Sequence, residues 1–289
     1  MSEPLRVVLG SADLADDELT TRLLDQFYDA GGRAIDLANV YGDGASERAV
    51  GGWLRAGSGR EDVALFVKGC HPPYCDPASV SDEVDRAMAN LGADRLDVFV
   101  LHRDDPAVSV GAWAEALGRE LERGAVSDVG VSNWTTDRFV ALSEELSVDD
   151  RLTVFSNHFS LAQMGASPWP DCLAVDAGTA GELVGSGVTV LAWASLAGGF
   201  LSGRESLDPA IRRSWGTPQN QRRLERSVEL AEQLGETPAT IAIAYVLAHE
   251  GIRPVIGTRS PEHLDQAVAA ERIDLDPDQV AWLEGTAEA

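Results

Sequence analysis

The chain has 289 residues, 44% of them hydrophobic and 24% charged, with a formal charge of −24 at pH 7. That composition belongs to a folded protein with a sizeable core and excludes a disordered tail. So negative a field repels nucleic acid and anionic membrane surfaces, and neither is expected as a partner.

The opening residues, MSEPLRVVLG, lack the regions of a signal peptide, and no stretch approaches the roughly 20 apolar residues of a membrane span, so a cytoplasmic location is expected. Short β-type runs follow one another at 6–9 (RVVL), 33–37 (RAIDL), 63–67 (VALFV), 96–101 (LDVFVL), 126–131 (VSDVGV), 152–156 (LTVFS), 188–193 (VTVLAW) and 253–256 (RPVI). Their nearly continuous apolar character suits a parallel sheet buried on both faces. Helical patterns at 16–30, 46–55, 79–91, 111–123, 135–146 and 176–185 separate them, with Gly31, Gly92, Gly124 and Gly187 as stop signals.

After the seventh run, 194–220 reads as a long Gly, Ser and Pro-rich loop, the kind that carries function. Helices at 220–234 and 238–249 come next, the second opened by Thr237 and Pro238, and a last one at about 276–287. Eight βα repeats predict an α/β fold, a single (β/α)8 TIM barrel over residues 1–289. An open doubly wound sheet is the alternative, but the nearest approach to its nucleotide fingerprint, Gly42-Asp43-Gly44-Ala45-Ser46-Glu47, lacks the last glycine.

The carboxyl ends of barrel strands share one mouth, so residues distant in sequence can meet there. Asp36 ends the second run, Tyr41 follows it, Lys68 follows the third and His102 the fourth. Lys68 is the only lysine beside 22 arginines. A primary amine at that one place suits a task needing a compact, tunable charge. An ammonium beside a tyrosine favours the phenolate, and a carboxylate keeps the ammonium charged and oriented, so a phenol more acidic than usual is expected here. His102 would hydrogen-bond the substrate oxygen. The three cysteines, Cys70, Cys75 and Cys172, are expected to stay reduced, and no metal is expected because Cys70, His71 and Cys75 have no second ligand pair.

At these residues the chain resembles the aldo-keto reductase family. The segments 36–54 (DLANVYGDGASERAVGGWL), 66–70 (FVKGC), 96–105 (LDVFVLHRDD), 130–134 (GVSNW), 192–204 (AWASLAGGFLSGR) and 255–264 (VIGTRSPEHL) carry the resemblance in the family's order. It implies NADP(H)-dependent reduction of an aldehyde or ketone, with Asp36, Tyr41, Lys68 and His102 as the catalytic group and Tyr41 as proton donor. It further implies cofactor contacts from Ser132, Asn133, His158 and Trp193 at the nicotinamide, Ser195, Leu196 and Gly198 at the pyrophosphate, and Gly257, Thr258, Arg259, His263 and Gln266 at the adenosine end. His158 stands where the family commonly has glutamine, and Gly257, Thr258, His263, Gln266 and Ala267 depart from its common lysine, serine, arginine, glutamate and asparagine. NADP preference therefore rests on Arg259, and NAD(H) stays open.

Trp53, Tyr74, Arg103, Trp134 and Trp215 are the candidate substrate contacts, aromatic walls with one charge that would suit a sugar-like carbonyl. A small-molecule partner and a monomer are expected. The alternative is a cofactor-binding regulatory barrel with little turnover, like potassium-channel β subunits; a metal-dependent hydrolase fares worse, for want of histidine and carboxylate ligands.

Overall fold

Eight parallel strands close a barrel in chain order: β1 (Val8–Gly10), β2 (Ala34–Ala38), β3 (Ala64–Gly69), β4 (Leu96–Leu101), β5 (Val126–Ser132), β6 (Leu152–Ser156), β7 (Thr189–Ala192) and β8 (Ile252–Gly257). The structure, a computed structural model, describes residues 4–15, 17–57, 62–146, 152–203 and 208–286. Among these, no helix is long and apolar enough to cross a membrane. Among the described residues the backbone groups into two compact units, one of Pro4, 8–156 and 257–259, the other of 5–7, 157–256 and 260–286.

In the first unit, β1 to β6 pair in parallel with their neighbours. Every residue of β2 is buried, as a strand covered on both faces requires. Lys68 stands opposite Ala38 in the β2–β3 register, two residues beyond Asp36. Because strand side chains alternate, Asp36 and Lys68 emerge on the same face of adjacent strands, one step apart on the diagonal. Around this sheet run α1 (Glu18–Asp29), α2 (Ala45–Ala56), α3 (Val80–Leu91), α4 (Val110–Glu122) and α5 (Thr136–Glu145). α2 and α3 approach so closely that a Cβ at Gly51 would stand 2.5 Å from the Leu91 carbonyl oxygen.

In the second unit, β7 pairs with β8, and α6 (Ala177–Gly185) precedes them. The segment expected as one long loop, 194–220, holds a 3-10 turn (Ala197–Ser202), α7 (Pro209–Trp215) and the start of α8 (Pro218–Leu234), while its residues 204–207 lie outside the described ones. Short as it is, α7 has a full set of signals: Asp208 caps it by accepting from Ala210 N, Pro209 opens it, and Gly216 closes it. The glycines before it masked those signals in the sequence. α9 (Pro238–Leu247) is buried from Ala239 through Leu247, which its apolar circumference demands. α10 (Pro261–Ala269) and α11 (Pro277–Glu284) end the chain, the latter three residues shorter than expected within the described range.

Candidate active site

Three strand ends of the first unit build the site. β2 delivers Asp36 and, in the turn after it, Tyr41, whose N–H bonds to the Ala38 carbonyl at 3.0 Å. β3 carries Lys68, and β4 is followed by His102, whose N–H bonds to the Gly69 carbonyl at 2.8 Å. Asp36 and Lys68 are almost wholly buried, and Lys68 Nζ donates to both carboxylate oxygens, at 2.7 and 2.5 Å. The same ammonium stands 5.5 Å from the centre of the Tyr41 ring. The ring of His102 meets Tyr41 edge-on at 5.9 Å. The four residues singled out from the sequence are thus brought together.

Burial opposes the Lys68 charge, but the Asp36 carboxylate and Tyr41 oxygen outweigh it and hold the amine protonated above its ordinary range. Burial pushes Asp36 up, and the ammonium offsets part of that rise. Tyr41 differs from expectation. Its shielding from water raises the hydroxyl above 10, Lys68 offsets only part, and the Asp36 charge adds to the rise. The phenol is therefore less acidic than usual and keeps its proton at neutral pH, which is the form a proton donor needs. His102 is pushed well below 6.5 by burial first, then by the charges of Lys68 and Arg103 and by His71. It is neutral at pH 7, and no described residue bonds its buried Nδ1.

Two further supports flank the group. Asn39 N–H bonds to the Lys68 carbonyl at 2.9 Å, and its side chain donates to Glu83 Oε2 at 2.7 Å and to the Glu83 carbonyl at 3.1 Å. Glu83, buried on α3, also accepts from Cys70 N at 3.4 Å, so one carboxylate ties the ends of β2 and β3. His71 packs edge-on against His102 at 4.9 Å, and its Nδ1 donates to the Pro72 carbonyl at 3.0 Å. Its position one residue beyond the FVKGC segment was the available signal; for Glu83, on an ordinary amphipathic helix, there was none.

The sequence model of the Aldo/keto reductase family matches residues 6–288. The chain belongs to that family. It is 26% identical, over 93% of its length and 72% of the relative's, to the norsolorinic acid reductase stcV of Emericella nidulans. To the 6-dehydroglucose reductase of Agrobacterium fabrum it is 27% identical, over 96% of its own length and 92% of the relative's. A crystal structure of an aldo/keto reductase from Klebsiella pneumoniae in complex with NADP and acetate superposes with a TM-score of 0.78 at 21% identity, covering 98% of this chain and 91% of that one.

In this aldo/keto reductase, the residues expected at the cofactor fall in both units. In the first, Ser132 and Asn133 are buried, with Asn133 Nδ2 donating to Ser132 Oγ at 2.9 Å and to the His102 carbonyl at 3.4 Å. Gly257 is exposed, with nothing closer than 3.9 Å to a Cβ placed on it, and Thr258 is buried. Arg259 donates to Asp17 Oδ2 at 2.6 Å and to the Asp13 carbonyl at 3.0 Å. In the second unit, half-buried Trp193 stands 5.1 Å from the His158 ring and 6.3 Å from Trp169, and no described residue bonds its buried Nε1. Ser195 Oγ donates to the Ala192 carbonyl at 2.7 Å, Leu196 is half-buried, and Gly198 is exposed at φ 63. His263 and Gln266 are half-buried on α10.

His158 is buried and accepts at Nε2 from Trp215 Nε1 at 3.2 Å. An indole only donates, so this nitrogen carries the lone pair, and burial holds the ring's pKa down to about 4. This arrangement gives Trp215, expected as a substrate contact, a buried packing and hydrogen-bonding role. Trp134 is likewise enclosed, edge-on to Trp113 at 6.3 Å with the Arg138 guanidinium 5.1 Å from its ring. Trp53 turns toward α1, where its Nε1 donates to Asp25 Oδ1 at 2.8 Å and its ring meets Tyr28. Arg103 is buried and donates to the His102 carbonyl at 2.8 Å, while Tyr74 remains exposed.

Proposed function

We propose that the chain, read as one domain over residues 1–289, reduces an aldehyde or ketone to an alcohol with NADP(H). The observation that carries this reading is the buried Asp36–Lys68 pair, its ammonium 5.5 Å from the centre of the Tyr41 ring, beside a neutral His102. NADP(H), when bound, supplies the hydride.

The chain's own residues do the rest. Tyr41, protonated at neutral pH, gives its proton to the carbonyl oxygen as charge builds there. Lys68, whose ammonium lies near the Tyr41 ring, stabilises the phenolate left behind, and Asp36 keeps the ammonium charged and aimed. His102, uncharged at neutral pH, is the group that would hydrogen-bond the same carbonyl and orient it.

The residues fit a dinucleotide in three respects. The Trp193 indole N–H lacks a described partner, the backbone at Gly257 is open, and Ser132 and Asn133 present amide and hydroxyl groups beside the His102 carbonyl. These, with His158, Ser195, Leu196, Gly198, Thr258, Arg259, His263 and Gln266, are the residues proposed to hold it. Support for the cofactor comes from the Klebsiella pneumoniae relative, described with NADP. For the substrate, the relative named 6-dehydroglucose reductase supports a sugar-like carbonyl, and Tyr74 and Arg103 remain the candidate contacts.

The test is a panel of sugar-like and aryl carbonyls with NADPH, followed at the reduced cofactor's absorbance band. Tyr41→Phe is expected to lower turnover about 10² to 10⁴-fold while leaving cofactor affinity unchanged. Full turnover in that variant, or tight cofactor binding by the wild type without oxidation on any carbonyl, would remove the proposal and leave the regulatory reading.

A further inference from the structure

The N-terminus of a helix attracts anions, because its first N–H groups are unpaired and its dipole is positive there. At α1 that place is already taken by the chain itself. Asp17 caps the helix, Oδ1 accepting from Thr20 N at 2.8 Å, and Oδ2 accepts from Arg259 at 2.6 Å. The Thr20 N–H and the Arg259 guanidinium hold this carboxyl below its usual range, so it is charged throughout the neutral region. The second arm of Arg259 is spent on the Asp13 carbonyl. Next to it, Asp13 Oδ2 lies 4.0 Å from where a Cβ on Gly257 would be. The cation available to a 2′-phosphate is thus paired with a carboxylate, and a second carboxylate stands near.

We propose that Asp17 sets cofactor choice in this chain: by occupying Arg259 it disfavours a 2′-phosphorylated dinucleotide, so that NAD(H) is bound alongside NADP(H). The inference rests on the reading above that Arg259 meets the adenosine end of the cofactor. A phosphate entering there must break the Asp17–Arg259 pair or sit beside a like charge, whereas a ribose hydroxyl meets no such penalty and can donate to a carboxylate. Discrimination of this kind works through a repulsive element as much as an attractive one.

The experiment titrates the full chain with NADPH and with NADH separately, reading the quench of tryptophan fluorescence, so that no turnover is needed. For the wild type, the two affinities are expected within about tenfold of each other. Asp17→Asn keeps a capping side chain but removes the charge, and should tighten NADPH about fivefold, the scale of one exposed ion pair, with NADH unchanged. Asp17→Ser, a different cap, should give the same shift. Arg259→Gln should bring NADPH down to or below the level of NADH.

A NADPH to NADH ratio unmoved by Asp17→Asn overturns the inference, as does a wild type that prefers NADPH by more than about 100-fold. Equal loss of both affinities in the Asp17 variants also overturns it, since that would mark a role in folding α1 alone. A wild type that binds neither dinucleotide gives flat titrations for every variant, and it is the parent reading that then fails.

Discussion

His102 in the first unit and His158 in the second are both buried imidazoles, and burial holds both neutral at pH 7. Their partners differ. His158 has its acceptor nitrogen bonded by the Trp215 indole and its ring packed against Trp193. His102 has Lys68, Arg103 and His71 as electrostatic neighbours, Tyr41 at its edge and an unpartnered Nδ1. A depressed pKa alone therefore does not mark a catalytic histidine. What separates the two is that a ring nitrogen of His158 is bonded inside the protein, whereas His102 Nδ1 is not.

The largest way to test that contrast is to break the charge pair in the first unit. Lys68→Met leaves Asp36 buried without its cation and is expected to cost about 3 to 5 kcal/mol of stability at neutral pH. Without the ammonium the Asp36 pKa rises further in the folded state, so the folded protein binds the extra proton and the loss shrinks as pH falls. Urea unfolding at pH 8 and pH 5 measures both, and Asp36→Asn added to Lys68→Met should recover most of the loss. Tyr41→Phe, which strands no charge, should unfold close to wild type. Equal stability of Lys68→Met and wild type at pH 8 would contradict a buried ion pair.

In the second unit the effect is an acid sensitivity. The His158 pKa of about 4 lies below the ordinary 6.5, so its contribution is complete above pH 6.5 and is lost as pH falls to about 4. The whole window is worth about 3 kcal/mol. Protonation puts a charge in the core and takes the lone pair from Trp215. His158→Gln should flatten the stability profile between pH 6.5 and 4, read by thermal melts across that range; an unchanged profile would show that other groups control the acid transition.

The smallest effect is expected outside both sites. Trp53→Phe keeps the ring against Tyr28 and loses the hydrogen bond to Asp25, for about 1 kcal/mol of stability and no change in carbonyl reduction. A selective change in substrate KM would return Trp53 to the substrate site and sharpen the role assigned to α2.

Much of this was legible in one dimension. The strand runs at 96–101 and 152–156 coincide with β4 and β6, because strands buried on both faces are apolar without interruption. Asp36, Lys68 and His102 could be read from their places at strand ends, where parallel topology itself brings them together. α7 was missed because a seven-residue helix after a glycine-rich stretch offers too few turns to show a period. The destinations of Trp53, Trp134 and Trp215 were missed for another reason: an aromatic residue fits a helix interface as well as a ligand wall, and composition cannot tell them apart.

Sequence by itself determined the repeating βα order, the parallel barrel and the identity of the charged residues at the strand ends, since each follows from local period and chain direction. Only the tertiary structure decided the sign of the Tyr41 shift, the occupation of Arg259 by Asp17 and the different employment of two histidines. Those depend on desolvation and on which groups arrive within hydrogen-bond reach, and neither quantity exists until the chain has folded.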